Sequence, residues 1–434
     1  MVNCRKETVK LLNKTFTENS YSNLLLDSVL SSKEMTVQEK RFITMLYYGV
    51  IEKKITLDYI ISSYSKKKLS SLDITVLNIL RTGIYQIKYM DSVPDNAAVN
   101  ECVKLVRGFR LASASGFVNA VLRNFIRDGA DYREPSGVSD RISVRYSVNS
   151  DIVNIISESY GSDFAEAFLE RCSDKAPVYV RMNNILTDEK TFLKALGKIK
   201  AEKIDFVPFC YKLSSGNPKE TEAFKKGYFH VQDISSQIAC AVLEPEENET
   251  VLDLCSAPGG KTFTIAQIMN GKGNIKAFDL YEHRAALITE GAKRLSLNNV
   301  TALTGNALEH NPDLEGADRI LCDVPCSGLG VIRKKPEIRY KNTEEFRELC
   351  DIQYKILENA SSYLKSGGVL VYSTCTLNRS ENEDIIEKFL REHIDFEGVP
   401  FFEEAGKPFG DYKAVLGAEG PDSDGFFISK IRRK

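Results

Sequence analysis

One segment, V-L-D-L-C-S-A-P-G-G-K-T at residues 251–262, constrains the fold of this chain most strongly. A short apolar run leads into a turn with two adjacent glycines, and we expect a helix to begin near Lys261. From about residue 226 onward the chain repeats this order of apolar strand, turn and helix. The repetition predicts an α/β domain in which a parallel sheet carries helices on both faces.

The glycine turn is a candidate binding loop, because glycine lets a ligand approach the backbone and a helix N-terminus favours negative charge. Its end, Gly260-Lys261-Thr262, resembles the end of a P-loop. A P-loop also requires glycine five residues before Gly260, and that position is Cys255. The spacing G-x-G-x-x-G of dinucleotide-binding loops is absent as well. These observations argue against a P-loop NTPase.

Asp279 ends the next apolar run, 19 residues after Gly260. An acid about 20 residues beyond a glycine turn suits hydrogen bonding to ribose hydroxyls. The alternative is an aspartate that caps the following helix. Together with the glycine turn, Asp279 favours a cofactor that contains adenosine.

Two further apolar runs end in cysteine motifs, D-V-P-C-S-G at 323–328 and S-T-C-T at 373–376. Ligands of open α/β sheets bind outside the carboxyl ends of the strands, so Cys326 and Cys375 are expected at one crevice with Asp279 and Asp323. A cysteine with a lowered pKa would offer a nucleophile there. The alternative for each cysteine is a small buried apolar side chain.

The remaining cysteines and the histidines give no sign of a disulfide framework or a metal site. The chain has ten cysteines, scattered along its length, and four histidines far apart. Such cysteines are expected to be free thiols. No secretory signal and no apolar run of about 20 residues is visible, so we expect a cytoplasmic protein without metal or membrane association.

Residues 1–140 are predicted to be all-helical, because apolar residues recur there at helical spacing. Residues 141–225 mix helical and strand-like segments and predict a small α+β domain. The chain has 434 residues and a net charge of −2, but residues 1–150 alone carry +7. This basic part fits either a polyanionic partner or a solvated basic face without a ligand.

Residues 226–434 resemble the RNA cytosine-5 methyltransferases that use S-adenosylmethionine. The resemblance is carried by four blocks: D-L-C-S-A-P-G-G-K-T at 253–262, Asp279, D-V-P-C-S-G at 323–328 and S-T-C-T at 373–376. Residues 231–237 and 424–427 also match. The N-terminal part resembles the NusB-like RNA-binding domain, through Pro94 and the residues at 80–85, 98–104 and 117–124. This domain order is similar to that of the RsmB/Sun-type 16S rRNA methyltransferases, which act on cytosine 967 in standard bacterial numbering.

The resemblance implies a role for each matching catalytic residue. Cys375 would add to carbon 6 of cytosine, and Cys326 would assist proton loss from carbon 5 and release of Cys375. Asp323 would hold the edge of the base, and Lys261 would favour the thiolate. By analogy with DNA cytosine-5 methyltransferases, Cys326 would instead be the nucleophile, and this alternative remains open here.

The resemblance also implies a cofactor site and an RNA partner. The cofactor-binding residues would be Cys255, Ser256, Ala257, Pro258, Gly259, Gly260, Lys261, Asp279, Asn306 and Asp323. The family usually has Gly-Asp where this chain has Gly305-Asn306. The basic residues that follow the P-C motif are candidates for RNA binding: Arg333, Lys334, Lys335, Arg339 and Tyr340.

The resemblance therefore implies a monomeric enzyme acting on 16S rRNA, either naked or in a partly assembled small subunit. Two other functions remain open. One is the same chemistry on tRNA, against which the NusB-like domain argues by analogy only. The other is an RNA-binding or assembly factor without catalytic activity.

Overall fold

The computed structural model describes residues 2–18, 22–32, 34–214, 216–401 and 411–434. The chain divides into two compact units, Met1–Asn154 with Lys335–Lys341, and Ile155–Lys334 with Asn342–Lys434. We predicted domains at 1–140, 141–225 and 226–434. The structure groups most of residues 141–225 with the second unit, and the three-domain division stays a prediction.

In the described part of the first unit the long regular elements are α-helices, which confirms the all-helical prediction. Short sequence signals explain where they begin. Thr36 and Glu39 form a reciprocal capping box at one helix start, and Asp73 caps another. The helices are α1 (Cys4–Glu18), α2 (Ser22–Ser32), α3 (Val37–Glu52), α4 (Lys54–Tyr64), α5 (Ile74–Tyr89), α6 (Asp95–Gly108), α7 (Ser115–Arg127) and α8 (Val138–Tyr146). Helix α9 (Ser150–Tyr160) follows.

The second unit contains a small antiparallel sheet of four described strands in the order β2–β3–β1–β4. Strands β1, β2 and β3 lie within residues 141–225, where strand-like segments were predicted. The elements are α10 (Ser162–Arg171), β1 (Val178–Met182), α11 (Glu189–Ala195), β2 (Ala201–Lys203), β3 (Cys210–Leu213), α12 (Glu222–Lys225), β4 (Phe229–Val231) and α13 (Ile234–Leu243).

Eight of the described strands form a larger mixed sheet, in the order β10–β12–β9–β8–β5–β6–β7, with β11 paired to β12. Its strands are β5 (Thr250–Asp253), β6 (Asn274–Asp279), β7 (Val300–Thr304), β8 (Ala317–Asp323), β9 (Leu364–Thr374), β10 (Phe396–Gly398), β11 (Lys413–Leu416) and β12 (Phe426–Arg433). The helices that follow α13 are α14 (Gly260–Ile268), α15 (Glu282–Arg294), α16 (Phe346–Ser362) and α17 (Glu383–Glu392).

The larger sheet is parallel only in part, which corrects the expectation of a parallel sheet. Strands β9, β8, β5, β6 and β7 are mutually parallel. Strand β12 runs antiparallel to β9, β10 and β11. The turn between β11 and β12, which contains Gly417 and Gly420, accounts for the antiparallel pairing of those two strands.

Successive residues of the central strands pack on opposite faces of the larger sheet. Val251 and Leu321 lie in a core with residues of α13, α14 and α15, whereas Leu252 and Ile320 lie in a core with residues of α16 and α17. Both faces are therefore covered by helices, as predicted. Within the described ranges, no helix is long and apolar enough to cross a membrane.

The order of the strands defines where a ligand fits. From β5 the chain builds outward through β6 and β7 on one side, and β8 and β9 lie on the other. A crevice forms at such a switch point, outside the carboxyl ends of the two central strands. The segments after β5, β8 and β9 meet there, and these segments carry the sequence motifs.

Candidate active site

The two motif cysteines meet at the carboxyl ends of neighbouring strands. Cys326 follows β8, Cys375 directly follows β9, and their Sγ atoms are 3.3 Å apart. Both side chains are partly buried. Because β8 and β9 are parallel neighbours, the fold delivers both thiols to one point.

A charged pair lies beside the cysteines. The Lys261 Nζ donates to Oδ2 of Asp323 at 2.7 Å, and Ser373 Oγ donates to the other oxygen at 2.9 Å. Burial lowers the pKa of Lys261, but the charge of Asp323 and this hydrogen bond outweigh it and leave that pKa above its ordinary value. The ammonium also lies 5.2 Å from the ring centroid of Phe426. Lys261 is therefore a fixed positive charge in the crevice.

The surroundings of Cys326 oppose the loss of its proton. The contact with Cys375 and burial raise the pKa of Cys326 well above its ordinary value, and the charges of Glu381 and Asp323 act in the same direction. A thiol in this environment keeps its proton at neutral pH. Cys326 is therefore poorly suited to begin a reaction as a thiolate.

The predicted cofactor loop forms a tight turn between β5 and α14. Gly259 has a φ of +104°, and a Cβ there would lie 2.4 Å from the ring of Phe263. The Ser256 N–H donates to the carbonyl of Phe278 at 2.8 Å, which ties the turn to β6. Helix α14 begins at Gly260, directly after this turn, so its N-terminus lies at the crevice.

Asp279 and Asn306 lie at the ends of β6 and β7. The Asp279 carboxylate is buried, accepts from the Tyr281 N–H at 3.2 Å and lies 3.4 Å from the Arg284 guanidinium. Asp279 is not the N-cap of α15, which is Tyr281; its side chain accepts from the turn that precedes that helix. Asn306 lines a cavity of about 180 Å³ together with Phe278.

The Asn306 side chain is held by neighbouring residues. Its Nδ2 donates to Glu309 at 2.9 Å, and its Oδ1 accepts from the Leu308 N–H at 3.1 Å. These bonds fix which end of the amide is donor and which is acceptor.

Asp253 is a site residue that the sequence reasoning did not single out. It is fully buried at the end of β5, and Thr262 donates to its Oδ2 at 2.6 Å. Its Oδ1 has no hydrogen-bond partner in the described structure. Burial raises the pKa of Asp253 to about 6. The aspartate of D-L-C was the available signal, but a strand-end acid alone does not reveal an unpaired oxygen.

We predict that Asp253→Asn changes how stability depends on pH. A raised carboxyl pKa stabilises the fold below the unfolded pKa of about 4, and this contribution is lost as pH rises through about 6. The variant lacks this loss, so its stability relative to wild type should increase by about 1.5 kcal/mol between pH 5 and pH 7.5. Urea unfolding at both pH values measures this. The exposed Asp205→Asn is the control, and parallel profiles for Asp253→Asn and wild type would contradict the prediction.

The residues after the P-C motif that were predicted to bind RNA mostly have partners within the protein. The Arg333 side chain is 7% exposed and pairs with Asp422. Lys334 pairs with Asp233 and Asp424.

Arg339 and Tyr340 belong to the first unit and are structural there. Arg339 is 1% exposed and donates to the Tyr146 carbonyl at 2.7 Å. The Tyr340 hydroxyl donates to the Ile51 carbonyl, and its ring packs against the helical core. Lys335 is exposed, and RNA contact by any of the five residues stays a prediction.

In the part of the chain that the structure describes, no group of three or more His, Cys, Asp or Glu side chains could hold a metal ion.

Two family models match this chain. Residues 240–432 match the family described as 16S rRNA methyltransferase RsmB/F, and residues 2–127 match the NusB family. The chain is 36% identical over 445 aligned residues to the probable ribosomal RNA small subunit methyltransferase B of Bacillus subtilis, covering 99% of this chain and 98% of that protein. It is 32% identical to the ribosomal RNA small subunit methyltransferase B of Proteus mirabilis, covering 95% of each.

Solved structures share the fold. The crystal structure of PH0851 superposes with a TM-score of 0.80 at 23% identity, covering 100% of this chain and 99% of the other. A methyltransferase homologue from Pyrococcus horikoshii superposes with a TM-score of 0.60 at 27% identity, covering 69% of this chain and 100% of the other. With full-length similarity and both family models in agreement, the chain belongs to the RsmB/F family of 16S rRNA methyltransferases and is an RNA methyltransferase, for which that family implies S-adenosylmethionine as methyl donor.

Proposed function

We propose that this protein methylates carbon 5 of a cytosine in 16S rRNA through a covalent intermediate, with cytosine 967 in standard bacterial numbering as the target. The observation that carries the proposal is the 3.3 Å separation of Cys326 and Cys375 beside the Lys261–Asp323 pair. Membership of the family and full-length similarity to small-subunit rRNA methyltransferases support the RNA substrate.

The chemistry explains why two thiols are needed. Carbon 5 of cytosine is a poor nucleophile until a thiolate adds to carbon 6 and drives the ring electrons toward carbon 5. Carbon 5 can then take a methyl group, after which its proton passes to a base such as water, the electron pair of that bond restores the ring double bond, and the attacking sulfur leaves as a thiolate. One thiol attacks as a thiolate, and the second assists this release.

We assign the attack to Cys375 and the release step to Cys326. The raised pKa of Cys326 supports this order, because the group that keeps its proton is not the attacking thiolate. The fixed charge of Lys261 lies close enough to Cys375 to interact with it, and a nearby cation lowers the cost of a thiolate.

Asp323 is proposed to orient the base. Each of its carboxylate oxygens already accepts one hydrogen bond, from Lys261 or from Ser373, and each can accept a second. The exocyclic amine of cytosine is a donor that suits these free acceptor positions. The same carboxylate then lies beside the ring as charge develops on it.

The cofactor is proposed to lie across the ends of β5, β6 and β7. S-adenosylmethionine supplies a methyl group activated on a sulfonium. The turn at 255–261 would contact its amino acid part, Asp279 its ribose hydroxyls and Asn306 its adenine. The fit is supported by the unpaired Oδ1 of the buried Asp253, which an ammonium group would satisfy.

We expect cofactor binding to tolerate asparagine at position 306, and Asn306→Asp not to tighten it. A carboxylate at 306 would face Glu309, which now accepts from the Asn306 amide at 2.9 Å. In the free protein the side chain at 306 would turn away from Glu309, and about 1 kcal/mol spent on returning it to contact adenine would weaken binding about fivefold. Calorimetry with S-adenosylhomocysteine measures this, and adding Glu309→Gln should restore the affinity. Much tighter binding by Asn306→Asp alone would contradict the prediction.

RNA contact is proposed for exposed basic residues of the helical unit and for Lys335. Arg107, Arg110 and Arg123 are exposed on or beside α6 and α7. Such residues can pair with phosphates without reading sequence. The target cytosine must leave its stack to reach two partly buried thiols, so a flipped or single-stranded base is expected.

Methyl transfer from tritiated S-adenosylmethionine tests the function. We expect incorporation into 16S rRNA, naked or in a partly assembled particle, and none into tRNA. Incorporation into tRNA alone would favour the tRNA alternative, and no incorporation into any of them would favour the assembly-factor alternative. The cytoplasmic location and the monomeric state stay predictions.

A further inference from the structure

A buried carboxylate lies behind the two cysteine loops. Glu381 is in the short 3₁₀ turn Arg379–Glu381 and is fully buried. In the described part of the chain it has no ion pair with a basic side chain. A buried carboxylate is costly unless hydrogen bonds satisfy it, so its partners indicate why the fold retains it.

The partners of Glu381 come from both cysteine loops. On the side of Cys326, the N–H of Ser327 donates to Oε2 at 2.9 Å, and the Ser327 hydroxyl donates to Oε1. On the side of Cys375, the Asn378 amide donates to Oε1 at 2.9 Å. The Glu381 carboxylate thus links the segment after Cys326 to the turn after Cys375.

Two more hydrogen bonds close this network. Gln353 on α16 donates through Nε2 both to Glu381 at 2.9 Å and to the Pro325 carbonyl at 2.9 Å, so it holds the residue before Cys326. The hydroxyls of Ser327 and Thr376, which follow the two cysteines, lie 2.6 Å apart. The chain neighbours of both thiols are therefore fixed by one polar cluster.

We propose that Glu381 is a positioning residue that holds Cys326 and Cys375 at their working separation, an inference that rests on the proposed function. Glu381 touches neither thiol in a hydrogen bond, and it acts through Ser327 and Asn378. An amide cannot replace it, because both carboxylate oxygens accept from N–H donors, Oε2 from Ser327 and Gln353 and Oε1 from Asn378, so an amide NH2 in either position faces a donor. A shift of about 1 Å at reacting groups costs about 100-fold in rate.

The test compares Glu381→Gln with Glu383→Gln, a buried control two residues away. Glu383 accepts from the Tyr160 hydroxyl at 3.0 Å, which an amide oxygen can still do. We expect Glu381→Gln to lower kcat about 10- to 100-fold while KM for RNA and for the cofactor changes less than about threefold. Glu383→Gln should match wild type in both.

A second readout reports the thiol separation without depending on methyl transfer. Diamide oxidises two adjacent thiols to a disulfide and is reduced to its hydrazine, and peptide mass spectrometry measures the rate of the Cys326–Cys375 link. We expect Glu381→Gln to slow this link about tenfold and Glu383→Gln to leave it unchanged. A slowed link in a protein that methylates no RNA would refute the proposed function and leave the positioning role intact.

Linking at the wild-type rate in Glu381→Gln overturns the positioning role, whatever happens to kcat. If Glu381→Gln does not fold, Ser327→Ala replaces it, because it removes the hydroxyl bonds to Glu381 and Thr376 but keeps the backbone N–H. That variant should slow the link about threefold, and an unchanged rate would again overturn the proposal.

Discussion

Replacing Cys375 with alanine should abolish methyl transfer, lowering kcat by at least about 10⁴-fold, because no other group in the crevice can add to carbon 6 of the base. Cys326 is 3.3 Å away, but burial and the charges of Glu381 and Asp323, all retained in the variant, still raise the pKa of its thiol. The affinity for S-adenosylhomocysteine should stay within about twofold of wild type. Single-turnover methyl transfer and calorimetry measure the two effects.

The control for this loss is Cys350→Ala. Cys350 is partly buried on α16, where its thiol donates to the Phe346 carbonyl, so its loss should leave kcat within about twofold of wild type. A covalent RNA adduct that accumulates in Cys375→Ala would overturn the assignment, because Cys326 would then be the nucleophile, as in DNA cytosine-5 methyltransferases.

Replacing Cys326 with alanine should have the opposite signature, the accumulation of a covalent protein–RNA adduct. Cys375 can still attack and carbon 5 can still be methylated, but the step that releases Cys375 loses its assisting thiol. Incubation with substrate RNA and S-adenosylmethionine should give a band of slower mobility on a denaturing gel, with little turnover.

The double variant Cys326→Ala/Cys375→Ala is the matched control, because it removes the attacking sulfur and should form no adduct. An adduct in the double variant would show that another residue attacks. Full turnover by Cys326→Ala, without any adduct, would show that release needs no second thiol.

Local motifs made the centre of the site predictable from the sequence. A strand followed by a glycine turn constrains the backbone within a few residues, and parallel strands bring their carboxyl ends to one edge of the sheet. These two rules were enough to expect Cys326 and Cys375 in one crevice. The helical pattern of residues 1–140 was equally local, since it depends on the spacing of apolar side chains along each helix.

Features that depend on distant partners were not predictable. The basic stretch after the P-C motif was predicted to contact RNA, and its partners within the protein were not foreseen: those of Arg339 and Tyr340 lie almost 200 residues or more away in the sequence, at Tyr146 and Ile51. The antiparallel direction of β12 was not predicted, because its pairing with β9 and β11 was not recognised from the sequence. The burial of Asp253 and the partners of Glu381 follow from packing, which a sequence pattern does not specify.

Bisulfite mapping of 16S rRNA tests the central claim most directly. RNA from cells that contain the protein, lack it, or carry only its Cys375→Ala variant would be compared, with tRNA mapped in parallel. We expect one cytosine, at position 967 in standard bacterial numbering, to resist conversion only in cells with the wild-type protein. If the bisulfite conversion of every 16S rRNA cytosine is the same in the three kinds of cell, the protein is not a 16S rRNA cytosine-5 methyltransferase.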